Sequence, residues 1–286
     1  MRDEQAPTRM QRIGYRTPID APEPDQLVLV DYLSGGRVAV VTINRPHADN
    51  AITTELAASL IEVLETIAAR ATVRVAIITG AGDRAFSVGG DLRQRKSMSK
   101  EEWLRQRQVF DRLLYTLRQL RRPVIAAVHG LAYGGGCEIA ISCDFIIASD
   151  DAMFGQPEVM VGLSAGGGSP VLLPRLLPLG RALQMLMTGE PITAEEAHRL
   201  GMVNELHPRG ELMKAVLCIA EQIASNSPTA VQAVKRAVLM GEGEPIEQAA
   251  AIMMEAHWRS VVHPDRVEGI GAFNEGREPT FVDPDF

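Results

Sequence analysis

The sequence predicts an α/β protein with a largely parallel sheet, followed by a helical C-terminal region. Three observations carry that prediction. Short apolar runs ending in glycine, "VRVAIITG" (73–80) and "PVIAAVHG" (123–130), have the composition of strands buried on both faces. Segments of helical period stand between such runs, so strands and helices alternate. Beyond about residue 180 the strand signal shrinks to "MVNELHP" (202–208), and helices punctuated by glycine and proline take over.

The opening stretch, "MRDEQAPTRMQRIGYRTPIDAPEPDQ" (1–26), has no apolar centre and carries Asp3 and Glu4. It reads as a flexible polar tail rather than a targeting segment. "LVLVDYLSGGRVAVVTINRP" (27–46) holds two β-rich runs around Ser34-Gly35-Gly36, a hairpin signal. In 53–70, Leu56, Leu60, Val63, Leu64 and Ile67 recur at helical spacing behind a threonine cap. A longer helix is expected over about 99–120, and two short strands within 144–159. Helices then follow in 180–189, 193–201, 211–224, 228–241 and 246–262. The expected organisation is a tail (1–26), an α/β core (27–205) and a helical region (206–286).

Composition narrows the function classes. Net charge is −7 and no run of lysine or arginine exceeds a pair, which argues against nucleic acid as a partner. No apolar stretch approaches the ~20 residues of a membrane-spanning helix, so no membrane partner is expected. The odd count of three cysteines (Cys137, Cys143, Cys218), without metal or redox spacing, fits free thiols in the cytoplasm. His129, His198, His257 and His263 show no ligand spacing, so no metal is expected.

Chemistry gathers at three glycine-rich places. In "LAYGGGCEIAISCD" (131–144), Gly134–Gly136 follow a strand-like run and open a helical one holding Glu138. A helix start presents unpaired N–H groups and partial positive charge, which suits a developing anion. "AFSVGGDL" (85–92) again sets paired glycines against an acidic residue, and taken alone it is an ordinary turn with Asp91 capping a helix. In "FGQPEVMVGLSAGGGS" (154–169), Pro157 fixes the backbone just before Glu158. Two glycine turns can each offer one N–H, enough for a two-donor oxyanion hole. Two glutamates beside them can divide proton transfer. A carbonyl substrate that passes through an enolate needs both.

"NRPHADNAI" (44–52), "AFSVGGDL", "PVIAAVHGLAYGGGCEIAISCDFIIAS" (123–149) and "FGQPEVMVGLSAGGG" together resemble the crotonase superfamily, the enoyl-CoA hydratase/isomerase family. The resemblance covers about 27–281. It implies a ββα-spiral core and C-terminal helices that pack between subunits, giving a homotrimer or a dimer of trimers. It also implies an acyl-CoA or enoyl-CoA thioester as substrate and partner. Coenzyme A is then part of the substrate, and no separate cofactor is expected. By the same resemblance Gly90 and Gly135 would hold the thioester oxygen, Glu138 would activate the water added at C3, and Glu158 would exchange the proton at C2. Val88, Asp91, Leu92, Pro157 and Gly166 match positions lining the acyl-CoA site. Trp103 and Phe110 read first as core residues, with a place beside the acyl chain as the alternative.

The sequence departs from the family pattern in three places. Ala165 stands where many hydratases carry proline, Gly276 where lysine is frequent, and Asp49 where an apolar residue is usual. The leading expectation is hydration of a 2,3-double bond. The alternatives are double-bond isomerisation, thioester hydrolysis or decarboxylation on the same scaffold, and a non-catalytic acyl-CoA-binding homologue.

Overall fold

The computed structural model describes residues 7–16 and 21–283. A short helix, α1 (Arg9–Arg12), precedes the antiparallel hairpin of β1 (Val28–Leu33) and β2 (Val38–Ile43). Then come α2 (Thr54–Ala69), β3 (Val75–Gly80), β4 (Ala85–Ser87), α3 (Leu92–Lys96), α4 (Lys100–Gln119) and β5 (Val124–Val128). The chain continues through β6 (Leu131–Tyr133), α5 (Gly135–Ser142), β7 (Phe145–Ser149) and β8 (Met153–Gly155). Next are α6 (Ser169–Leu176), α7 (Leu179–Thr188), β9 (Ile192–Thr193), α8 (Ala194–Arg199) and β10 (Glu205–His207). It closes with α9 (Leu212–Ser225), α10 (Pro228–Gly241), α11 (Ile246–Val261) and α12 (Pro264–Glu275).

The strands form two sheets, ordered β1-β2-β3-β5-β7-β10 and β4-β6-β8-β9. Apart from the β1–β2 and β8–β9 pairs, every pairing is parallel. Each winding of the chain from β3 to β8 lays one strand in the large sheet and the next in the small one. This is the expected ββα spiral. Side chains alternate across a strand, and β2 shows the consequence. Its Ala39, Val41 and Ile43 enter the core beneath α2, α4 and α5, while Val38 and Val40 face the other side. There they meet Leu212, Val216, Ala220 and Ala224 of α9.

That second face corrects the expected boundary at 205/206. β10 straddles it, and α9, assigned from sequence to the C-terminal region, covers one face of the large sheet. The core therefore runs through α9. The glycine at 276, where lysine is frequent, ends α12 with a left-handed φ of 67° that suits a residue without Cβ. Nothing in the structure accounts for Ala165. Among the described residues no helix is long and apolar enough to cross a membrane.

The flexible-tail reading also changes. Residues 8–16 fold back onto the core, although 1–6 and 17–20 of the expected tail lie outside the described residues. Thr8 and Gln11 form a reciprocal capping box at α1. Arg9 reaches Glu190 (3.0 Å), Tyr133 Oη donates to the Ile13 carbonyl (2.8 Å), and Tyr15 Oη donates to the Val88 carbonyl (2.9 Å). The unusual Asp49 belongs to this anchorage: buried, it receives Arg16 (2.6 Å) and Arg84 (3.1 Å), and Arg84 also donates to the Gly14 carbonyl.

Candidate active site

Both glycine turns open from the small sheet. β4 leads through Gly89 and Gly90 into α3, and β6 leads through Gly134 into α5. The three consecutive glycines have different reasons. Gly134 sits at φ 52° and ψ −126°, a conformation closed to side chains. A Cβ on Gly136 would fall 2.1 Å from the Ser87 carbonyl oxygen, so only glycine lets β4 and α5 approach this closely. Gly135 is less confined: a Cβ there would make ordinary contacts, 3.6 Å from the Gly89 Cα and 3.7 Å from the Gly90 nitrogen. The two backbones are thus neighbours across a gap. Among the described residues neither the Gly90 nor the Gly135 N–H donates to a protein acceptor. Two unpaired donors beside each other have the geometry that can stabilise an oxyanion.

Glu138 lies one turn into α5, buried, and accepts from the Gly167 N–H at 2.5 Å. Burial pushes its carboxyl above the usual range, while that N–H pulls it back toward the ionised form. Glu158 follows Pro157 in a short 3-10 turn (Pro157–Val161). Its carboxyl is pushed up to about 7, first by burial and then by the charge of Glu138. The Gln156 amide, oriented by its hydrogen bonds, donates to both Glu158 oxygens (3.1 and 3.2 Å) and accepts from Ser169 Oγ (2.6 Å). This polar neighbour was missed from sequence. Its position directly before Pro157-Glu158 was the available signal.

Glu138, Glu158, Gly90 and Gly135 share one cavity of about 400 Å³. Val88, Leu92, Pro157 and Gly166 line it too, as do Trp103 and Phe110. Asp91 does not. Its carboxylate caps α3, accepting from Arg93 N (2.9 Å) and Gln94 N (3.2 Å), and pairs with Arg45 (3.1 Å) behind the wall. The turn-and-cap reading of Asp91 is the one the geometry supports. The remaining wall was unforeseen: Met10 and Tyr15 come from the N-terminal segment, and Arg95 and Arg107 add two cations. The T-x-x-Q capping pattern at 8–11 was the sequence signal for that segment. Among the described residues no cluster of histidine, cysteine or acidic side chains is arranged to hold a metal.

What this arrangement offers is a cleft with paired N–H donors and two carboxyls whose protons burial holds more tightly than usual. The chain belongs to the enoyl-CoA hydratase/isomerase family, whose model matches residues 34–284. Among curated relatives, the short-chain-enoyl-CoA hydratase of Clostridium acetobutylicum is 41% identical over 85% of this chain and 93% of its own. The (E)-benzylidenesuccinyl-CoA hydratase of Thauera aromatica is 39% identical over 85% and 95%. The crystal structure of an enoyl-CoA hydratase from Bacillus anthracis superposes with a TM-score of 0.88 at 35% identity, covering 91% of this chain and all of that one.

Proposed function

We propose that this protein hydrates the 2,3-double bond of an enoyl-CoA thioester. The observation that carries the reading is the pairing, within one cavity, of two free backbone donors with two carboxyls, Glu138 and Glu158, both pushed above the usual range by burial. The N–H groups of Gly90 and Gly135 hold the thioester oxygen and stabilise the enolate that forms as C3 is attacked. Glu138, positioned by its hydrogen bond from the Gly167 N–H, takes a proton from the attacking water. Glu158 carries a proton near neutrality and delivers it to C2. Water's OH ends on C3 and a hydrogen on C2, so the atoms balance. Val88, Leu92, Pro157 and Gly166 contact the acyl-CoA.

A panel of enoyl-CoA thioesters followed by mass spectrometry tests this directly. A gain of one water supports hydration; loss of carbon dioxide, release of free CoA or an isomer of unchanged mass would assign a different reaction. Glu138→Gln and Glu158→Gln should each lower kcat by about 10²–10⁴, and the double variant should lose far less than the product. An isomerase relying on Glu158 would keep most activity without Glu138.

A homotrimer or dimer of trimers completes the proposal. The C-terminal helices expose Val234, Val238, Met253, Trp258, Ile270 and Phe273, an apolar surface suited to subunit contact. Three cysteines without disulfides are in keeping with a cytoplasmic location.

A further inference from the structure

One cation in the cavity has its donors unspent. Arg95, on α3, is half-buried, and its Nε donates to Gln106 Oε1 at 2.9 Å. Gln106 is itself buried and fixed, donating to Thr54 Oγ1 (2.9 Å) and Gln94 Oε1 (2.7 Å). The guanidinium carbon stands 4.8 Å from the Trp103 ring centre and 5.3 Å from that of Phe110. It also lies against the oxyanion turn, since a Cβ on Gly90 would fall 2.5 Å from Cζ and from Nη2. Yet among the described residues neither Nη of Arg95 makes a hydrogen bond, and no carboxylate pairs with it. Arg107, the other guanidinium on the wall, is bound to Asp111 and to the Gly166 carbonyl.

We propose that Arg95 binds a carboxylate carried by the acyl chain, so that the preferred substrates are enoyl-CoA thioesters with an anionic acyl end. This inference rests on the acyl-CoA reading of the site and adds the substrate class. A guanidinium clamped through Nε and backed by aromatic faces presents its two outer N–H edges as a planar fork, which matches a carboxylate bidentately. A purely hydrocarbon chain filling the same cavity would strip water from those donors and return nothing. A carboxylate replaces the lost water with charge-assisted hydrogen bonds.

Binding of saturated thioesters tests the inference without requiring turnover. Succinyl-, glutaryl- and adipyl-CoA are compared with butyryl-, valeryl- and hexanoyl-CoA by titration calorimetry, in the parent, Arg95→Met and Arg95→Gln. For at least one chain length, the carboxylate-to-methyl affinity ratio should fall by about 10–100-fold in both variants, the range of a lost charged hydrogen-bond pair. Arg95→Lys should recover only part of it. Circular dichroism confirms that each variant is folded, and Arg95→Gln serves if Arg95→Met is not. Ratios unchanged at all three lengths would overturn the proposal. So would an equal weakening of free CoA, which would make Arg95 a contact to the CoA phosphates. If the parent binds carboxylated thioesters selectively yet hydrates none of their enoyl counterparts, the hydratase reading fails while this one stands.

Discussion

Glu158→Gln should make the protein more stable in alkaline solution. A carboxyl whose folded value lies above its unfolded value binds its proton more tightly in the fold. The stabilising effect is therefore complete below the ordinary glutamate value of 4.5 and is lost as pH rises through about 7. The difference of about 2.5 units corresponds to about 3 kcal/mol of destabilisation at high pH, at about 1.4 kcal/mol per unit. Donation from the Gln156 amide to the ionised carboxylate returns some of this. Glutamine keeps the shape and never ionises, so it escapes the cost.

Urea unfolding at fixed protein concentration, which holds any subunit equilibrium constant, reads the effect at two pH values. At pH 8.5 the variant should exceed the parent by up to about 3 kcal/mol, and at pH 5 by less than about 1 kcal/mol. Activity should fall as stability rises, the trade expected of a strained catalytic group. Equal stabilities at both pH values, or a variant weaker than the parent at pH 8.5, would refute the burial-driven shift and with it the acid role of Glu158.

Gly135→Pro places proline at the first position of α5, where helices tolerate it, but removes one donor; kcat should fall by about 10²–10³ with a smaller change in thioester binding. Gly135→Ala keeps the N–H, and equal losses in the two variants would mean that sterics rather than donation matter. Deleting residues 1–16 strips Met10 and Tyr15 from the cavity wall and should raise KM more than it lowers kcat; an unchanged KM would show that the segment does not touch substrate. In Glu138→Gln, carbon-13 NMR should find the Glu158 carboxyl titrating below about 7, because the neighbouring charge that raises it is gone. No downward movement would mean that the two carboxyls do not sense each other.

Much of this was legible in the chain because strong local signals coincide with tertiary roles. The strands at 75–80 and 124–128 are apolar apart from Thr79, as both faces are covered. The glycines at 134–136 announced the α5 entry. By contrast β4, β6 and β9 are two or three residues long, too short for a period, and exist only because distant strands pair with them. Arg95 stands beside a recognised motif, yet nothing local says that a guanidinium in a five-residue helix turns inward. Its direction is set by Gln106, Trp103 and Phe110, all on α4. Docking of residues 8–16 likewise depends on Asp49, Val88 and Glu190, far away in sequence.

These long-range placements make the cavity's charges interdependent. The positive charge of Arg95 lowers the proton affinity of Glu158, opposing burial and Glu138. A hydrocarbon acyl group leaves that opposition in place. A carboxylate seated on Arg95 neutralises it and adds a negative charge of its own, so the Glu158 carboxyl should titrate higher in that complex. The acid would then hold its proton more firmly when the right substrate is bound, coupling recognition to chemistry without any movement of the backbone. Carbon-13 NMR of Glu158 in the parent, saturated with adipyl-CoA and separately with hexanoyl-CoA, isolates the effect, because the two ligands have the same number of acyl carbons and differ only in the end group. The carboxylated complex should titrate at the higher pH, and Arg95→Met should reduce the difference by weakening carboxylate binding at that point. Identical titrations in the two complexes of the parent would mean that the anionic end lies too far from Glu158 to act on it.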